Sequence, residues 1–257
     1  MARFVLGPGA WLSVATSLLL TGPACAVTPD LSGVWLRDPP LHEPARSPAA
    51  LFDEEPEYQS HAGAPELREP YATQYKQLQE KKRVAAERGQ PLPDASTQCL
   101  PAGMPTLMQA ILPLEIVQTH GKVIVIAEEL GEIRRIYLKE RMPALQDMVA
   151  TYSGYSVGRW EGNALIVETR GVREDVLFWD LPHSIKMRVT ERVRLLAPDR
   201  LEDRITIDDP EVLAKPYVFT FAYRKDPTYK VSEYICDNNR YRFDSEGGAS
   251  LNTNPAQ

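Results

Sequence analysis

From Leu114 to Ile235 the chain is a near-unbroken succession of short runs rich in β-branched and aromatic residues. The runs are Leu114 to Thr119, Lys122 to Ala127, Glu132 to Leu138, Ser153 to Trp160, Ala164 to Arg170, Arg188 to Leu196, Leu201 to Asp208, Tyr217 to Arg224 and Tyr229 to Ile235. Such composition predicts strands, because branched and aromatic side chains pack well on a pleated, half-buried surface. His120-Gly121, Leu130-Gly131, Glu161-Gly162-Asn163, Pro198-Asp199 and Lys225-Asp226-Pro227 separate neighbours too tightly for a crossover helix, so these pairs are expected to be antiparallel hairpins. Leu31 to Arg37 adds a further strand. A sheet of about ten strands exposes two edges unless it closes. The expected fold is therefore all-β with one surface helix: an antiparallel up-and-down barrel of about 8–10 strands, as one domain spanning residues 27–257.

The barrel pattern is interrupted by an insertion at about 38–113. Between Asp38 and Pro70 stand Pro39, Pro40, Pro44, Pro48, Pro56, Pro65 and Pro70, which reads as a surface excursion. Tyr71 to Gly89 follows with good helix formers, a proline before its start and a glycine at its end. Tyr71, Tyr75, Leu78 and Val84 fall roughly on one face of that helix.

Residues 1–26 read as a secretory signal peptide, with Arg3, an apolar run from Ala10 to Leu20, and Ala24 and Ala26 at cleavage-site spacing. The apolar stretch from Phe4 to Leu20 is 17 residues and is broken by Gly7, Pro8 and Gly9, short of a stable membrane span. The expected location is periplasmic or secreted, with the cut after Ala26. Cleavage removes Cys25 and leaves Cys99 and Cys236, which an oxidising compartment would join in a disulfide closing a long loop. The surplus of 35 acidic over 29 basic residues argues against a nucleic-acid partner.

Chemistry has to be sought on the inward faces. Val189, Val193 and Leu195, Ile205 and Ile207, and the set Tyr217, Phe219, Phe221 and Tyr223 define apolar phases, and Glu191, Asp203, Asp209 and Glu233 are in phase with them. A carboxylate facing a small barrel's interior has to be paired, protonated or solvated. Two readings stay open. In one, Glu191 or Glu233 is a general acid or base partnered by His183 in a ligand cavity. In the other, the carboxylates form a structural network with Arg134 or Arg135, whose strand phase is ambiguous because Ile133, Ile136 and Leu138 do not alternate. Arg135, Tyr137, Trp179, Tyr217 and Phe219 are the candidate ligand contacts, although alternating aromatics also suit a buried strand. His42, His61 and His120 fall in loops. No metal-ligand spacing, GxSxG, phosphate-cradling glycine loop or dinucleotide fingerprint occurs, so neither metal nor cofactor is expected.

Gly33-Val34-Trp35 on the first strand resembles the GxW motif of lipocalins and the wider calycins, and Arg240 resembles the arginine that packs across that tryptophan. More broadly, DLSGVW (30–35), CLPAGMP (99–105), EIVQT (115–119), RRIY (134–137), SVGRWEG (156–162), PHS (182–184), Glu191-Arg192, ITIDDP (205–210) and EYICDNN (233–239) resemble a group of exported bacterial proteins of uncharacterised activity. The resemblance implies a lipocalin-like barrel. The chain departs from that group at Asn163, where members often carry Asp, and at Met142-Pro143, where they often carry His-Pro. The barrel and its inward carboxylates together lead to the expected function, an exported barrel binding a small, largely apolar organic ligand in its cavity, or else a cofactor-free lyase or isomerase of dehydratase or cyclase type acting on a small organic substrate.

Overall fold

The computed structural model describes Met1 and residues 28–38, 65–236, 241–243 and 249–251. The expected signal peptide, most of the proline-rich excursion and Arg240 lie outside these. The barrel strands are β1 (Gly33–Arg37), β2 (Leu114–Gln118), β3 (Lys122–Ala127), β4 (Ile133–Tyr137), β5 (Tyr155–Glu161), β6 (Ala164–Arg170), β7 (Arg188–Ala197), β8 (Arg200–Asp208) and β9 (Tyr217–Lys225). They follow one another in chain order around a closed barrel, and β9 pairs back onto β1. Helix α1 (Tyr71–Glu87) lies between β1 and β2 in sequence, as its composition predicts. A separate pair, β10 (Tyr241–Phe243) and β11 (Ala249–Leu251), forms a two-stranded sheet.

Two expectations change. The barrel is mostly antiparallel but not purely so, because β4 and β5 run parallel through Ile136↔Ser156 and Tyr137↔Val157. The reason is arithmetic: directions cannot alternate all the way around a closed sheet with an odd number of strands. The strand expected at Tyr229 to Ile235 is also not formed. β1 already occupies the free edge of β9, so closure leaves no ladder for another strand. The segment is instead held by side chains: Asp226 accepts from the amides of Thr228 and Tyr229, and Glu128 accepts from the Tyr229 hydroxyl and the Ser232 amide. It ends at Cys236, which is bonded to Cys99.

The core follows the expected alternation, with Val189, Val193, Ile205, Phe219, Phe221 and Tyr223 all buried. Trp35 is fully enclosed and its indole N–H donates to the Leu31 carbonyl at 2.9 Å. Among the described residues the cation over this ring is Lys225, with Nζ 5.3 Å from the centroid. Gly33 beside it has a φ of +135°, a backbone conformation that favours glycine, and the flexible end of Lys225 packs over its bare Cα.

Several of the family-like segments have evident building roles. In CLPAGMP the Gly103 amide donates to the Glu132 carboxylate and the Met104 amide to the Tyr152 carbonyl at 3.0 Å, stapling the segment before β2 to the loops before β4 and β5. Gly103 has φ +69°, and a Cβ there would lie 2.5 Å from the Tyr152 oxygen. In PHS and ITIDDP, buried Asp209 accepts from the Ser184 amide at 2.6 Å and its hydroxyl at 2.9 Å, and also from the amides of Glu211 and Val212. One carboxylate thus ties the loop before β7 to the turn after β8.

Candidate functional site

Inside the barrel the polar residues form a closed network. Arg134 of β4 donates both terminal nitrogens to Glu191 of β7, Nη1 to Oε1 at 2.8 Å and Nη2 to Oε2. Its Nε reaches Ser156 Oγ at 3.2 Å and its Nη2 also reaches Thr169 Oγ1 at 2.9 Å, while those hydroxyls bond each other at 2.8 Å. Arg134 and Glu191 are essentially solvent-free. A bidentate fork with every guanidinium nitrogen hydrogen-bonded is an arrangement in which a buried ion pair can exist. Nearby, the Arg37 guanidinium stacks 4.4 Å from the Phe221 centroid and donates to the Gln109 carbonyl at 2.8 Å. Burial pulls Arg37 down to about 10, so it remains a cation at neutral pH.

Asp203 of β8 completes the group. It is fully buried, and neither carboxyl oxygen meets a donor among the described residues. Burial first, then the adjacent Glu191 carboxylate, pushes its carboxyl well above the ordinary range, with Arg134 pulling the other way. The two acids therefore share their site by leaving Asp203 protonated, able to donate to Glu191. The folded chain then holds a proton that the unfolded chain releases above an ordinary carboxylate pKa. Linkage makes this contribution fully present below that value and lost as pH rises through the raised one. Asp203→Asn, neutral at every pH, is expected to match the parent near pH 4 and exceed it in stability near pH 8, at about 1.4 kcal/mol per unit of raised pKa. Urea unfolding at both pH values measures this; an equal difference at the two would show that no proton is taken up.

The larger hollow lies outside this network. A cavity of about 510 Å³ is enclosed by α1, residues 92–102, residues 106–111 and the loop 175–180. Tyr75, Leu78, Gln79 and Lys82 of α1 form one wall. Trp179 forms the floor, its ring 5.3 Å from Phe219 and in edge contact with Phe221. Trp179 and Asp180 stand at the centre of a tight turn closed by Leu181 N–H to the Phe178 carbonyl at 2.9 Å, with φ of +51° and +65°. Turns with two positive φ values ordinarily take Gly, Asn or Asp, so a tryptophan there carries strain of about 1–3 kcal/mol. The opposing contacts are visible: Asp180 accepts from Gln79 at 3.0 Å and Lys82 at 2.7 Å, fastening the turn to α1.

A second hollow of about 330 Å³ lies where β4 and β5 approach each other, ahead of their two paired positions. Arg135, Tyr137 and Tyr155 line it, with the two tyrosine rings stacked at 5.2 Å. Tyr152 and Pro101 border both hollows.

The sequence-derived candidates separate accordingly. Arg135 is exposed and sits with Tyr137 at the smaller hollow; Trp179 floors the larger one; Tyr217 and Phe219 lie buried beneath it. The Tyr217 hydroxyl is pushed up to about 12 by burial, with Tyr75 beside it. Glu191 is sealed in the barrel. His183 is buried in the loop before β7, its Nδ1 3.0 Å from the Ser184 carbonyl. Glu233, expected to face inward, is exposed on the segment after β9. The ambiguous arginine pair resolves as Arg134 inward, since Arg134 and Ile136 face the barrel opposite Val125 and Val123 and Ile133 is the exposed exception. The carboxylates Asp94 and Glu129 at the larger cavity were missed, because irregular segments have no periodicity to read.

The chain is thus a nine-stranded, predominantly antiparallel closed β-barrel with a helix-walled cavity against it. No family model, curated protein or solved structure matches it. Among the described residues no helix is long and apolar enough to cross a membrane, and no group of metal-ligating side chains occurs.

Proposed function

We propose that this chain is an exported binding protein, cleaved after Ala26, that holds a small, largely apolar organic molecule in the cavity between α1 and the barrel. The observation that carries the reading is where apolar surface is left uncovered. Leu100, Ile111 and Leu177 remain 38%, 41% and 41% exposed, and all three line this one concavity. Exposed apolar side chains gathered in a hollow mark ligand or partner sites, whereas scattered ones need no explanation. The volume falls within the usual range for small-molecule pockets, roughly 300–1,000 Å³. The interior of the barrel itself is taken up by Trp35, Phe219, Phe221, Tyr223 and the Arg134–Glu191 pair. The alternative of a lyase or isomerase would need Glu191 or Glu233 beside His183; Glu191 is held in the Arg134 network inside the barrel, Glu233 is exposed after β9, and His183 bonds in its own loop.

Titration with the neutral dye N-phenyl-1-naphthylamine is expected to show one saturable site. Leu177→Asp, which places a charge on the cavity wall without touching the core, is expected to weaken the dye at least tenfold, about 1.4 kcal/mol. Unaltered binding in that variant would place the site elsewhere.

A further inference from the structure

Two independent features meet in the larger cavity: the uncovered apolar wall already described and an imbalance of charge. Its lining holds the carboxylates of Asp94, Glu129, Asp175 and Asp180 against a single cation, Lys82. That cation is committed, since Lys82 and Asp180 are paired at 2.7 Å. Asp175 is paired with Arg173 at 2.5 Å. Asp94 is occupied by the Thr97 amide at 2.8 Å and the Ser96 hydroxyl at 2.9 Å. The Glu129 carboxylate remains, with no hydrogen bond or ion pair among the described residues. It is half-buried, and burial together with neighbouring Asp94 and Glu132 pushes its carboxyl up, the mark of an acid that lacks a counter-charge. The same hollow is lined by the rings of Tyr75 and Trp179, while the Tyr152 ring at its border already holds a cation, with Arg173 Cζ 4.7 Å from its centroid.

We infer that the molecule held in this cavity is an organic cation, an amine whose apolar body lies along Leu100, Ile111 and Leu177 and whose ammonium group is directed at Glu129. This rests on the binding reading above and narrows it. A carboxylate or phosphate ester of the same shape would enter a pocket whose acids already outnumber its cations, and would have to break the Lys82–Asp180 pair to find a partner. A neutral molecule would gain the apolar wall but leave Glu129 uncompensated. An ammonium gains both, and in a partly desolvated site a charge pair is worth more than it is in water.

The test uses three probes with one ring system: 2-(1-naphthyl)ethylamine, 2-(1-naphthyl)ethanol and 1-naphthaleneacetate. Each is titrated as a competitor of N-phenyl-1-naphthylamine on the intact, oxidised protein at pH 7.5 and low salt. The amine is expected to compete at least tenfold more strongly than the alcohol, about 1.4 kcal/mol, with the carboxylate weakest. Glu129→Gln is expected to collapse the amine-to-alcohol ratio towards unity. An alcohol as strong as the amine, or a carboxylate stronger than either, overturns the cation inference and leaves the cavity reading standing. A ratio that survives in Glu129→Gln overturns Glu129 as the counter-charge. If the dye binds but none of the three competes, the ammonium contributes nothing and the inference falls. If the dye itself fails to bind, the cavity reading falls with it.

Discussion

Arg134→Met is expected to destabilise the barrel by about 3–5 kcal/mol, the usual cost of leaving one member of a buried ion pair without its partner. The substitution keeps roughly the volume of the side chain, so the loss reports charge and hydrogen bonding and not a large cavity. What remains is Glu191, fully enclosed, stripped of both donors and still beside Asp203. The Ser156 and Thr169 hydroxyls suffer less because they bond each other at 2.8 Å. For a domain of this size the change corresponds to a fall in Tm of roughly 6–20 °C. Arg134→Met combined with Glu191→Leu is expected to recover most of it, since an apolar pair of similar volume often matches a buried ion pair. Thermal and urea unfolding of the two variants decide the matter. A loss below about 1 kcal/mol in the single variant would show that the pair is dispensable, and no recovery in the double variant would place the cost in packing.

Replacing Cys99 and Cys236 together by serine is expected to cost about 2–5 kcal/mol. The bond joins residues 137 apart in sequence, and the chain-entropy model gives about 5 kcal/mol for so long a loop, an upper value because strain and residual structure reduce it. The position adds a functional consequence. Ser96, Gln98 and Leu100, on either side of Cys99, line the larger cavity, so the bond anchors one of its walls to the segment that follows β9. The serine variant is therefore expected to bind N-phenyl-1-naphthylamine more weakly even where it remains folded. Equal dye affinity in a folded variant would show that the wall is positioned by the Gly103–Glu132 and Met104–Tyr152 contacts alone.

These predictions touch residues of different legibility. Glu191 and Asp203 could be read as inward-facing because β8 and most of β7 and β9 alternate, with one face packed on the core, and a period of two fixes the phase over those stretches. Their partner could not. Ile133 is exposed and Ile136 buried, so β4 presents an apolar residue on both faces, and only pairing with β3 shows that Arg134 points inward. The helix was evident from composition, yet nothing in the run from Tyr71 to Gly89 indicates that its half-buried face walls a cavity. The final apolar run, Tyr229 to Ile235, misled because strand propensity describes a surface suited to pairing and not the presence of a free edge.

What the amino-acid order settled by itself was local and periodic: which runs become strands, where they turn, which faces are apolar, and that Cys99 and Cys236 had reason to pair. Tertiary structure alone decided matters of closure and proximity. Nine strands in a ring force one parallel neighbour pair at β4 and β5, and β1 takes the edge that a tenth strand would have used. The larger cavity belongs to the same category. Glu129 follows β3, Lys82 is on α1, Leu100 lies between α1 and β2 and Leu177 follows β6, and no sequence period links them. They share a hollow because the barrel brings distant loops together, and charge and apolar exposure acquire meaning there only through distance.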